Sequence, residues 1–317
     1  MNELAFGKYS FLCELNNQAI LPAYKGSTFR GVFGIALKKV VCALKRQECE
    51  SCLLKNRCLY TRVFETPLAL SPRDGLRVSV VPHPIVIEPP ATEQREFNPG
   101  DTFEANLLLF GDANDSLPYF IYAFEQMGKI GIGRRIKGQR AEFKLKKVHS
   151  NGDTIYSHTD EKINSNDECI DVLKVPSNGK YSEESFKINV TLKTPLRLKR
   201  SNRLTSELPF HVLTSAMTRR IASLFTSYAD TEPDLDYKGL VNRAKNIVIK
   251  ESSLKWHAWE RYSNRQKQKV PLGGMIGSIT YEGKLGEFLP LLNICSKVHI
   301  GKNTAFGLGK IWPEVVY

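Results

Sequence analysis

The chain is predicted to be α+β, with one order of elements, strand–helix–strand–strand–helix–strand, run twice. Three observations predict this. Runs of alternating apolar residues mark strands, as in "LAFGKYSFLCEL" and "SFKINVTLKTPLRLK". Longer amphipathic runs mark helices, as in "STFRGVFGIALKKVVCALKR" and "LPFHVLTSAMTRRIASLFTSY". In both halves a helix leads into basic glycines and then a strand, "FIYAFEQMGKIGIGRR" and "FLPLLNICSKVHIGKN". The repeat is one of elements, with little identity, and it implies tandem ferredoxin-like domains.

Taken in order, the first strand is followed by a loop with Pro22, Tyr24 and Lys25, then a helix that Ser27 or Thr28 is expected to cap. "VSVVPHPIVIEPP" reads as a strand interrupted by prolines, and "DTFEANLLLFG" as a plain strand. "SLPYFIYAFEQMG" reads as a helix capped by Ser116 and stopped by Gly128. A basic, glycine-rich loop, "KIGIGRRIKGQR", then runs into an alternating strand. In the second half, "AKNIVIKESSLKWHAWERYS" and "VPLGGMIGSITYEG" form a strand pair and "LGEFLPLLNI" a helix. Residues 151–183, polar and rich in Ser, Asn, Asp and Glu, are read as a linker or insertion. The domains are therefore drawn at 1–150 and 184–317.

Composition narrows the function. With 317 residues, 42% of them hydrophobic, the chain can bury one large or two ordinary cores. No apolar run is long enough for a membrane helix, and the charged N-terminus lacks a signal-peptide core, so a cytoplasmic protein is expected. Seven cysteines in a reducing compartment are not expected to form disulfides. A net charge of +12 favours an acidic partner, with nucleic acid foremost.

Near the C-terminus, "SKVHIGKNTAFGLGKIWPEVV" sets Gly301, Gly307 and Gly309 among Lys297, Lys302 and Lys310. Glycine admits positive φ and lets a ligand approach the backbone, and lysines beside it suit an anion. Gly309-Lys310 is followed by Ile311, not Ser or Thr, so this is no nucleotide P-loop; nor do the glycines open a helix, as a dinucleotide loop requires.

Cys42, Cys49, Cys52 and Cys58 have the spacing C-x(6)-C-x(2)-C-x(5)-C. Four thiolates can close a tetrahedral site with no open position, so structural zinc at 42–58 is expected, with an iron–sulfur cluster as the alternative.

Basic residues fall into three groups: Arg134, Arg135 and Lys137; Arg197 and Arg200; and Arg261 and Arg265. The last interleaves with Trp256, His257, Trp259 and Tyr262. Arginine among aromatics suits single-stranded RNA, since rings stack on bases while guanidinium groups hold phosphates. One of the two tryptophans is expected in the core.

The glycine-rich end "HIGKNTAFGLGK", the preceding "WERYSNRQKQKVPLGGMIGSITY" and the early "FRGVFGIALKKVVCALKRQECESCLLKNRCLYTRVFETP" together resemble the CRISPR repeat-processing endoribonucleases of the repeat-associated mysterious protein superfamily, in a cysteine-bearing subgroup. The resemblance covers both ends and most of the middle. It implies a tandem ferredoxin-like fold, CRISPR repeat RNA as ligand, and CRISPR effector subunits as further partners. It also implies cleavage without a metal, by the RNA's own 2′-hydroxyl, leaving a 2′,3′-cyclic phosphate. A non-catalytic RNA-binding subunit of a CRISPR effector complex is the alternative, and a zinc-bearing nucleic-acid-binding protein outside CRISPR is a third reading.

Such chemistry needs a proton acceptor, a proton donor and charge stabilisation, and histidine suits the first two near neutral pH. His299, against the glycine loop, is the first candidate, though a histidine hydrogen-bonded to backbone at that place is an equal reading. In many of the enzymes this chain resembles, the histidine lies on or near the first helix; "STFRGVFGIALKKVV" has none. Tyr24, Arg30 and Lys38 are the rival set there, beside Lys25 and Lys39.

Overall fold

The computed structural model describes residues 3–45, 47–71, 80–164, 169–175, 181–200, 203–204, 207–263 and 268–316; for 199, 200, 203, 204, 262 and 263 it describes the backbone only. The chain divides into two compact units. One is Leu4–Val172 with Ser227–Ala229; the other is Leu173–Thr226 and Asp230–Tyr317 with the first three residues.

In the Leu4–Val172 unit, strand Phe143–Ser150 lies beside Glu3–Leu15, then Thr102–Phe110, then Ile85–Glu88, all antiparallel. Helices Gly26–Val41 and Leu117–Ile130 supply the other two elements. In the order strand, helix, strand, strand, helix, strand, the four strands are arranged fourth, first, third, second. The 173–317 unit repeats this: Ile311–Val316, Phe186–Leu196, Gly274–Gly283, Val248–Ser252, again antiparallel. Its helices are Phe210–Tyr228 and Leu289–Val298. Both units are thus ferredoxin-like, as the element order predicted.

Alternation explains which face of each sheet is covered. Tyr9, Phe11, Cys13 and Leu15 point to one face of the first strand and are buried in the helix-covered core. There Phe11 stacks on Phe124 at 4.1 Å, and Phe33 lies 5.1 Å from the same ring. In the other unit Phe210 makes edge contacts with Tyr281 at 4.8 Å and Phe288 at 5.0 Å. The Tyr281 hydroxyl donates to the Leu208 carbonyl at 2.6 Å, which satisfies a buried polar tip.

Several local expectations are corrected. The first helix begins at Gly26 after Lys25, with no side-chain cap from Ser27 or Thr28; the Lys25 carbonyl accepts from Phe29 N at 3.0 Å. Ser116 precedes its helix without a side-chain bond. Gly128 lies inside that helix, and the chain leaves it at Gly131, whose φ is +78°. A methyl on Gly128 would overlap the Phe143 carbonyl, so this glycine serves close helix–strand approach. The stretch read as a polar linker or insertion holds strands Asp153–Ser157 and Lys162–Ile163, which extend the first sheet, and Ile170–Lys174, which pairs with the first strand. Neither Trp256 nor Trp259 is buried: Trp256 is exposed and Trp259 half-buried.

Candidate nucleic-acid interface

The C-terminal glycine loop starts where helix Leu289–Val298 ends. His299 leaves that helix with φ +58° and ψ 153°, a backbone region that is essentially glycine's alone. From there the loop is tied along its length. Ile300 N donates to Gly309 O at 2.9 Å, Lys302 N to Arg197 O at 2.9 Å and Gly309 N to Pro195 O at 3.1 Å. Thr194 works in both directions: its hydroxyl donates to Gly307 O at 2.8 Å and accepts from Lys310 N at 2.9 Å. The end of strand Phe186–Leu196 therefore templates the loop. Gly307 and Gly309 are buried and shape it, with φ +79° and +77°, while Gly301 and Lys302 form its exposed part.

His299 is fully buried, and its Nδ1 lies 3.0 Å from the Leu308 carbonyl. A carbonyl only accepts, so Nδ1 carries a proton and donates. The ring stands inside the loop and braces it, the backbone-bonded place that the sequence reading set equal to a catalytic one.

Two of the predicted arginines do reach the loop. The Arg261 guanidinium lies 4.8 Å from the centre of the Phe306 ring, and burial lowers its pKa from the usual arginine value. Arg197 donates from Nη1 to the Pro271 carbonyl. Strands Glu260–Ser263 and Gln268–Pro271 pair with each other, so Arg197 and Arg261 together fasten this hairpin to the loop. The Nε atoms of both arginines are buried with no hydrogen-bond partner among the described residues. Trp256 and His257 are exposed on Lys255–His257, a short strand paired with Gly274–Gly283. Arg265 lies outside the described residues, as do the side chains of Arg200 and Tyr262.

In the other unit, Ile132–Ile136 and Gln139–Ala141 form a hairpin that the sequence reading took for a loop. Lys137 and Gly138, at φ +49° and +87°, make its two-residue turn. Arg134, Arg135 and Lys137 are all exposed on it.

The candidates on and before the first helix each have a place in the packing. Arg30 sits 4.8 Å from the Phe64 ring centre, Phe64 stacks on Tyr60 at 5.4 Å, and Lys38 sits 5.3 Å from the Tyr60 ring centre. This ladder fastens helix Leu59–Phe64 along helix Gly26–Val41, and Gly34 makes room for the Phe64 ring. Partial burial works against the Lys38 ammonium, but Cys49, Tyr60 and Cys42 outweigh it and raise its pKa. Burial pushes the Tyr24 phenol well above its ordinary range, and Glu88 adds to this. Lys25 is buried and donates to Thr92 O at 2.6 Å and Ala23 O at 3.1 Å; burial lowers its pKa.

The four cysteines of 42–58 are half-buried on one loop, with Cys52 N donating to Cys49 O at 3.3 Å. Among the described residues no three potential ligands come together as a metal group.

Two ferredoxin-like units, the second carrying a braced, basic glycine loop, define a tandem ferredoxin-like protein, the fold that the sequence reading anticipated. Residues 4–168 match an N-terminal domain family, AF_1859_N, and residues 190–311 match the family described as CRISPR-associated endoribonuclease Cas6. The first of these matches spans more than half of the chain, and the Cas6 match spans less than half. It is 28% identical over 297 residues to an uncharacterized protein of Archaeoglobus fulgidus, covering 91% of each chain. Its fold resembles a Cas6 product complex with a TM-score of 0.56 at 15% identity, covering 97% of this chain and 99% of that one. Thermus thermophilus Cas6 gives a TM-score of 0.54 at 14% identity, with 98% and 99% covered. A partial Cas6-RT-Cas1–Cas2 complex gives 0.56 at 14% identity; there this chain is covered to 99% but spans 46% of the other. Among the described residues no helix is long and apolar enough to cross a membrane.

Proposed function

We propose that this protein binds CRISPR repeat RNA and cuts it, the RNA's 2′-hydroxyl oxygen attacking the adjacent phosphorus. The 5′-oxygen leaves, a 2′,3′-cyclic phosphate remains, and one proton is taken from the nucleophile while another is given to the leaving oxygen. The match of residues 190–311 to the Cas6 endoribonucleases carries this reading, on a loop whose exposed part is Gly301–Lys302. Lys302 holds the RNA backbone, and Arg261 and Arg197 supply positive charge beside it. Because the nucleophile belongs to the substrate, the protein's work is positioning and charge stabilisation, and no metal is required. Arg30 and Lys38 are the cations proposed for the first unit, with Tyr24 beside them. The natural partners are the repeat RNA, its processed product and other CRISPR proteins, in the cytoplasm.

A repeat carrying a 2′-deoxy nucleotide just upstream of the cut tests the mechanism. It should bind as the ribo form does and stay intact, while the ribo form is cut in EDTA. Cleavage of the deoxy substrate refutes the mechanism.

The burial of His299 favours one second reading, an RNA-binding subunit of a CRISPR effector complex without cleavage. Binding without any cut of the ribo repeat would establish it. Structural zinc on Cys42, Cys49, Cys52 and Cys58 is proposed from their spacing alone, with an iron–sulfur cluster as the alternative.

A further inference from the structure

The exit of helix Leu289–Val298 combines two costs. Its last carbonyls have no partner within the helix, and His299 holds a backbone conformation that a side chain disfavours. Both are met by one residue from a distant helix. Arg220, on Phe210–Tyr228, is 8% exposed. Its Nη2 donates to Val298 O at 2.9 Å, and its Nε is shared between Val298 O at 3.2 Å and His299 O at 3.1 Å. A planar fork can grip two successive carbonyls in one orientation, which a single ammonium cannot do. The cation also sits at the negative end of the helix dipole. Beyond the grip, the chain runs through Ile300 directly into the exposed Gly301–Lys302 segment.

We propose that Arg220 is a positioning residue for RNA binding. It holds the strained helix exit and thereby sets where Gly301 and Lys302 stand. Being buried, it acts through the loop and does not touch RNA. The proposal rests on the RNA-binding reading above. The His299–Leu308 bond ties the gripped start of the loop to its other end.

Full-length Arg220→Met and Arg220→Lys are compared with wild type by backbone amide exchange, thermal unfolding and affinity for the ribo repeat. Arg220→Met should raise exchange at least about tenfold across residues 298–310, leave the sheet of the same unit protected, and weaken repeat binding at least about tenfold per folded molecule. Arg220→Lys should recover part of both, because an ammonium can still donate to either carbonyl. If loosening spreads over the whole unit while folded molecules bind normally, Arg220 is merely structural and the proposal fails. Wild-type loop protection and affinity in both variants overturn it, as they do in Arg220→Lys alone should Arg220→Met not fold. A wild-type chain that does not bind the repeat refutes the RNA reading instead, and loop exchange then decides the clamp by itself.

Discussion

Gly309→Ala gives the sharpest test of how the loop is built. Gly309 has φ +77°, and a methyl there would overlap the Ile300 carbonyl oxygen. Positive φ alone costs an L side chain about 1 kcal/mol. The overlap is with backbone, so the two strands of the loop must part. Parting them breaks Ile300 N to Gly309 O and Gly309 N to Pro195 O, at about 1 kcal/mol net for each hydrogen bond. The sum is about 3 kcal/mol, which lowers Tm by roughly 6–12 °C in a chain of this size. Gly138→Ala is the control: its φ is +87° but nothing lies within 4 Å of the added carbon. It should lose only the backbone term, about 1 kcal/mol or roughly 2–4 °C. Calorimetry of both variants measures the difference. If Gly309→Ala melts no lower than Gly138→Ala, the tight pairing of Ile300 with Gly309 does not hold the loop, and the reasoning fails.

Other outcomes follow from the same contacts. Arg261→Ala removes the guanidinium over Phe306 and should weaken repeat binding several-fold more than Lys187→Ala, a change at an exposed position on strand Phe186–Leu196; filter binding over a salt series reads this, and equal affinities exclude Arg261 from the interface. Cys49→Ser with Cys52→Ser tests the zinc proposal: elemental analysis should fall from about one zinc per chain to none, with Tm lowered more than cleavage per folded molecule. Iron with sulfide in the wild-type protein would overturn zinc in favour of a cluster, and no metal at all would end the metal proposal.

Period and order were legible in the sequence. Alternation in "LAFGKYSFLCEL" and amphipathicity in "FIYAFEQMG" depend on residues a few positions apart, so burial of one face leaves its mark locally. That is why the doubled order of elements, and with it the ferredoxin-like pairing of both sheets, could be read without coordinates. The basic glycine loop was legible for the same reason: glycines and lysines cluster within a dozen residues. What the loop's members do was not. His299 looks like an acid or base beside an anion site, yet its place is decided by Leu308 and by Arg220, which lies 79 positions away and bonds its carbonyl. Gly128 looks like a helix stop because glycine often is one, but a strand carbonyl at residue 143 claims the space its missing side chain leaves. Arg30 and Lys38 look like solvated cations on a helix, yet Phe64 and Tyr60 pack against that helix and engage them. Residue types and their short spacings thus determined the elements and the charge of the loop; contacts between residues far apart in the chain, which no local pattern encodes, decided which side chains face the solvent and which hold the fold.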